Sequence, residues 1–113
     1  MKKQSVIKSA KSLKMVTNLY ADKLRNAVGF YGGVHVDVEE YLQGRINHIV
    51  IWFEHNMLFM AGIDSVREIT DCMEAKYDRD CVCTSIQTRP YLASDDKTWL
   101  HRPVIEVMLR VKE

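Results

Sequence analysis

Nine residues in the middle of the chain, Ile46 to Glu54 (INHIVIWFE), are rich in β-branched and aromatic side chains and apolar on both faces of an extended backbone. Such a stretch reads as the central strand of a sheet, with a neighbour on each side. It is too short to cross a bilayer. The rest of the chain must therefore supply flanking strands and the elements that cover them.

One neighbour precedes it. Val34-His35-Val36-Asp37-Val38-Glu39 alternates valine with polar groups, as a strand with one wet face does. Leu42 to Arg45 reads as the turn between the two. His55-Asn56 reads as a second tight turn, into a short strand over Met57 to Ala61. Cys81 to Thr88 returns to strand character. After Pro103, Ile105, Val107, Leu109 and Val111 share one face of a final strand, with Glu106 and Arg110 on the other.

Two segments carry helical spacing instead. From Ser5 to Val28, one side collects Val6, Leu13, Thr17, Tyr20, Leu24, Ala27 and Val28. The opposite side holds Lys8, Lys11, Lys14, Asn18, Asp22 and Arg25. Ile7, Met15 and Leu19 fall off the apolar stripe and are expected at the surface. Gly29, Gly32 and Gly33 supply the stop. They follow the helix, so they do not form a phosphate loop, which needs glycines before a helix N-terminus. The second helix is expected to open at Asp64-Ser65, where Ser65 and Glu68 fit a capping box, and to fade at Asp78-Arg79-Asp80. Together these elements predict one α+β domain. Its sheet is mostly antiparallel, with about five strands and two helices on one face, in the order α-β-β-β-α-β-β.

Charge is unevenly placed. Met1 to Arg25 carries seven basic residues against Asp22 alone, and the remainder carries nine against fourteen acidic ones, which sums to the net +1. A basic helix on an acidic body is suited to docking, including docking of one copy on another. With a chain so nearly neutral, no zinc-finger spacing and no helix-turn-helix pattern, nucleic-acid binding through that helix is the weaker use of the same charge. Lys8, Lys11, Met15, Leu19 and Arg25 are the candidate partner-binding residues.

A second candidate lies between two Arg-Pro pairs, Arg89 to Pro103 (RPYLASDDKTWLHRP). Fifteen residues is long for a connecting loop, and long ordered loops carry function. Arg89, Tyr91, Lys97, Trp99, His101 and Arg102 are the side chains there that would stack on or pair with a nucleotide or another anion. Cys81-Val82-Cys83 is a C-x-C without a second half, so neither a zinc ribbon nor a disulfide framework is indicated, and no metal or other cofactor is expected. His48 with Cys81 and Cys83 as a zinc site, or Cys81 with His101 as nucleophile and base, lacks a spacing signature.

The sequence therefore predicts a small cytoplasmic, non-enzymatic binding protein, an adaptor, inhibitor or structural subunit, acting through protein complexes as a homo-oligomer. Capture of a nucleotide or similar anion by the Arg89–Arg102 segment is the alternative.

Overall fold

The computed structural model describes residues 5–113. Its elements are helix α1 (Ala10–Val28), strands β1 (Val34–Tyr41) and β2 (Ile46–Phe53), helix α2 (Asn56–Lys76), and strands β3 (Val82–Leu92) and β4 (Trp99–Arg110). The sheet order is β1-β2-β4-β3 and every neighbouring pair is antiparallel. The α+β class stands, with two helices and four strands rather than five. Lys2 and Lys3 of the basic head lie outside the described residues.

The missing strand is Met57 to Ala61, which forms the first turns of α2. That helix starts nine residues before Ser65, so the Ser65–Glu68 pair sits inside it and caps nothing. Burial explains why the apolar run coils. Phe59, Ile63, Val66, Thr70, Met73 and Tyr77 repeat at helical spacing and turn toward the core. Gly62 permits the fit. A Cβ there would lie 2.9 Å from Cε1 of Phe53, so only glycine lets the Phe53 ring rest on the helix backbone.

Helix α1 is shorter than its apolar spacing suggests. Ser9 caps it. The Ser9 hydroxyl accepts from the Ser12 amide at 3.1 Å, and the Ser12 hydroxyl accepts from the Ser9 amide at 3.0 Å. Ser5 to Lys8 are consequently non-helical, and Lys8 precedes the helix. Ile7, expected at the surface, is fully buried, because its carbonyl accepts from the Lys112 amide and draws the segment onto the core. Leu13, Thr17, Tyr20, Ala21, Leu24 and Val28 are the buried stripe. Past Val28 the chain reverses at Gly32 and Gly33, both at positive φ.

The supposed loop between the Arg-Pro pairs is the far end of a long β3–β4 hairpin, closed by a turn over residues 93–98. Both prolines lie within strands. The Arg110 amide bonds the Cys81 carbonyl, and the Ala93 amide bonds the Thr98 carbonyl. Alternation then places Pro90 and Pro103 at positions that form no ladder bond between β3 and β4. On its other side Pro103 faces β2 just past the last pair of that ladder, Trp52 with Val104, so its missing amide costs only a bond at the ladder's end.

Helix α1 lies over β1 and β2, and α2 lies over β2, β3 and β4. Strand alternation sends Val36, Ile49, Ile51, Phe53, Val82, Ile105, Val107 and Leu109 to that side. A polar thread crosses this core. Tyr20 donates to Thr70, Thr70 to the Val66 carbonyl at 2.8 Å, Asn47 to Thr17 at 3.1 Å, and Thr17 to the Leu13 carbonyl at 2.7 Å. Burial pushes the Tyr20 phenol far above its ordinary range, which keeps it a neutral donor. Among the described residues, no helix lies over the opposite face of the sheet. No helix among the described residues is long and apolar enough to cross a membrane.

Candidate functional site

The open face gathers residues from all four strands. Register places His35, Asp37, Glu39 and Tyr41 of β1 beside Trp52, Val50, His48 and Ile46 of β2. Val104, Glu106 and Met108 of β4 follow. Arg89 and Tyr91 of β3 lie opposite Arg102 and Leu100 of β4. Val50 and Val104 are buried although they belong to this face and not to the core under the helices. They form the floor of a concave slot of about 350 Å3, walled by Trp52, Tyr91, Arg102, Arg89, Asp37 and Glu39.

The walls are held in place by one another. The Trp52 indole donates to Asp37 Oδ2 at 2.7 Å, and the His35 ring stacks on it with centroids 3.9 Å apart. His35 Nε2 lies 2.9 Å from Glu54 Oε1. Across the slot, the Arg102 guanidinium lies over the Tyr91 ring, 4.0 Å from its centroid. Arg89 spans the middle and donates to both Glu39 and Glu106. Tyr41 donates to the other oxygen of Glu39 at 2.6 Å. His48 Nδ1 lies 3.2 Å from Glu106 Oε1.

Tyr41's hydroxyl first, and Arg89 second, hold the Glu39 carboxyl below its ordinary range. Arg89 is raised in return, chiefly by Glu39. Glu54 is lowered by His35, Asp78 by Lys112 and Asp95 by Thr98. The folded protein therefore holds these protons more weakly than the unfolded chain. The stability they contribute is complete above the ordinary carboxylate range and is lost as pH falls through the lower folded values. A melting series should accordingly be flat from neutral pH down to that range and fall below it. Glu39→Gln should remove part of the acid-side slope, and an unchanged slope would contradict the Tyr41–Glu39–Arg89 arrangement.

The segment between the Arg-Pro pairs is divided by strand parity. Arg89, Tyr91 and Arg102 line the slot. Trp99 and His101 point to the helix side of the hairpin, and Lys97 lies in the turn, where Asp95 accepts its amide at 2.9 Å. These six residues do not converge on one ligand. On α1, Met15 is 65% exposed and Leu19 45%, beside the exposed Lys11, with Lys8 just before the helix. Arg25 is engaged within the chain, pairing with Asp22 and donating to the Val36 carbonyl of β1. The two candidate surfaces are thus on opposite sides of the sheet.

Cys81 is wholly buried, in the turn before β3, whereas Cys83 is exposed on the open face. His101 lies at the other end of the hairpin from Cys81, so those two do not meet. Desolvation raises the Cys83 thiol, which makes it a poorer nucleophile. No group of three potential ligands that would hold a metal occurs among the described residues.

Asp37, Glu39, Val50, Trp52, Val104 and Glu106 were not singled out by sequence reasoning. Strand alternation alone puts Trp52 on one face with Val50 and His48, but only the register joins them to Arg89 and Tyr91. Comparison with protein-family models, curated proteins and solved structures found no match.

Proposed function

We propose that this is a binding protein without catalytic activity, which holds a protein partner on the open face of its sheet at the slot between Trp52 and Tyr91. The observation that carries this reading is the slot itself. Helices cover one face of the sheet, while the other presents an apolar floor, two aromatic walls and an arginine laid on one of them. Trp, Tyr and Arg around a desolvated pocket are the composition of an interface centre. The partner's contact residues would be apolar or aromatic, since Arg89 is already matched by Glu39 and Glu106. Asp37 and Glu39 repel a polyphosphate. Adaptor, inhibitor and structural subunit all remain within this reading, in the cytoplasm.

Tyr91→Ala and Arg102→Glu remove one wall without touching the core. Both should abolish co-purification of the partner held by the tagged wild type, with circular dichroism unchanged. Retention by both variants, combined with loss in Met15→Asp or Leu19→Asp, would move the docking surface to α1.

One observation favours the second reading, an anionic small molecule. Arg102 has no carboxylate partner within ion-pair distance among the described residues. On that reading a nucleotide panel gives a thermal shift that Arg102→Ala removes, and a flat panel on the wild type rejects it.

A further inference from the structure

The two edges of the sheet differ. On the outer side of β1, Arg25 donates to the outward-facing Val36 carbonyl at 3.2 Å, and the strand carries Asp37, Glu39 and Glu40. Covering and charge are the ordinary protections of a sheet edge. Among the described residues, strand β3 has neither over most of its length. From Val82 to Thr88 (VCTSIQT) it has no charged residue and no proline, and Cys83 to Thr88 are exposed. Its odd-numbered residues bond to β4, as the Cys81–Arg110 and Ala93–Thr98 bonds show. Val82, Thr84, Ile86 and Thr88 consequently turn their amides and carbonyls away from the sheet. The next outward position is Pro90, which has no amide, and Arg89 precedes it. The pairing-competent stretch thus ends at Thr88.

We infer that β3 is the dimerisation edge, pairing antiparallel with β3 of a second copy about a two-fold axis at Ser85. That axis sets Val82 against Thr88 and Thr84 against Ile86. Every outward group between Val82 and Thr88 then finds a partner, and none falls opposite Pro90. An isologous contact needs a self-complementary surface, and a two-fold through the middle of an uncharged strand provides one.

The neighbouring helix fits the same axis. Arg67, Asp71 and Glu74 of α2 line the groove beside Thr84, Ser85 and Ile86. Thr84 donates to Glu74 at 3.0 Å, which fixes the Glu74 end of α2's 67–74 stretch beside Thr84, and the groove carries that stretch along Ser85 and Ile86. The two-fold reverses α2, so Arg67 of one copy lies on the side of Glu74 of the other. Neither residue has an ion-pair partner in its own chain among the described residues. The pairing thus joins opposite charges along the rim of a shared sheet.

The inference extends the complex-forming reading to a second surface and does not depend on the slot. Light scattering on the wild type across the micromolar range should give twice the 13.1 kDa chain mass. Ile86→Lys, which places a charge on the edge, should give the single-chain mass with an unchanged circular dichroism spectrum. Ser85 meets its own copy at a non-hydrogen-bonded position, where Cβ atoms are close enough for a disulfide. Ser85→Cys with Cys72 and Cys83 replaced by serine should therefore become a covalent dimer on mild oxidation, and that result stands even if Ile86→Lys does not fold. A monomeric wild type overturns the inference, as does a dimer in which Ser85→Cys does not cross-link. Tyr91→Ala, which empties one wall of the slot, should leave the mass doubled.

Discussion

Phe53→Ala should lower the free energy of unfolding by about 3–5 kcal/mol, the range for deleting a buried aromatic ring. Phe53 is 1% exposed at the end of β2. Its ring rests on Gly62 and meets Phe59 edge-on, with centroids 5.3 Å apart. Both partners belong to the first half of α2, the part that sequence patterning reads as a strand and a turn. Deleting the ring leaves a cavity that rigid backbone at Gly62 cannot fill. Urea denaturation should show the full loss as a lower midpoint, whereas Phe53→Leu should cost less than about 1.5 kcal/mol because it keeps most of the volume. A loss under about 1 kcal/mol for the alanine variant would mean that the first half of α2 is not seated on β2 as described.

Arg89→Ala has the second large expected effect. It leaves Glu106, whose side chain is 11% exposed, and Glu39 without their shared cation. Removing one partner of a buried ion pair costs about 3–5 kcal/mol, and partial exposure of Arg89 and Glu39 reduces this to about 2–3 kcal/mol. The pH dependence identifies the cause. Without Arg89 the Glu39 carboxyl binds its proton more readily in the folded state, so the deficit should be largest at neutral pH and shrink as pH falls through the carboxylate range. Adding Glu106→Gln should recover part of the loss at neutral pH. A deficit independent of pH would assign the effect to lost packing of the arginine stem instead.

Much of the fold was legible in the sequence. The period-two valines of β1 and the alternating final strand have a side-chain pattern that only a strand satisfies, and the short, β-branched and aromatic run of β2 favours one. The Tyr20–Leu24–Val28 spacing does the same for α1. Met57 to Ala61 was misread because five apolar residues fit either backbone. What decides between them is the Phe53 ring over Gly62, a contact between elements. The long segment from Arg89 to Pro103 was misread for a related reason. Proline argues against a strand interior, and only the ladder shows that Pro90 and Pro103 occupy positions where no bond between β3 and β4 is lost. Ile7 was placed at the surface by extending the helix past its cap at Ser9.

The candidate site was legible only in pieces. Arg89, Tyr91 and Arg102 were visible as hot-spot residue types, but so were Trp99 and His101, which strand parity sends to the other side. Asp37 and Trp52 belong to strands that pair directly, yet neither pattern states which residue of one faces which residue of the other.

The central strand, the amphipathic first helix and the final strand follow from local patterning, because each depends on side chains a few residues apart. Register, the open face, the slot and the bare β3 edge came from the tertiary structure alone. They depend on which backbone bonds are made between distant segments, and a one-residue slip would send Arg89 and Trp52 to opposite faces of the same sheet. The central strand from Ile46 to Glu54 required neighbours on both sides. The folded chain shows that one of its two faces feeds the helical core, and the other, with Trp52 and Val50, builds the slot.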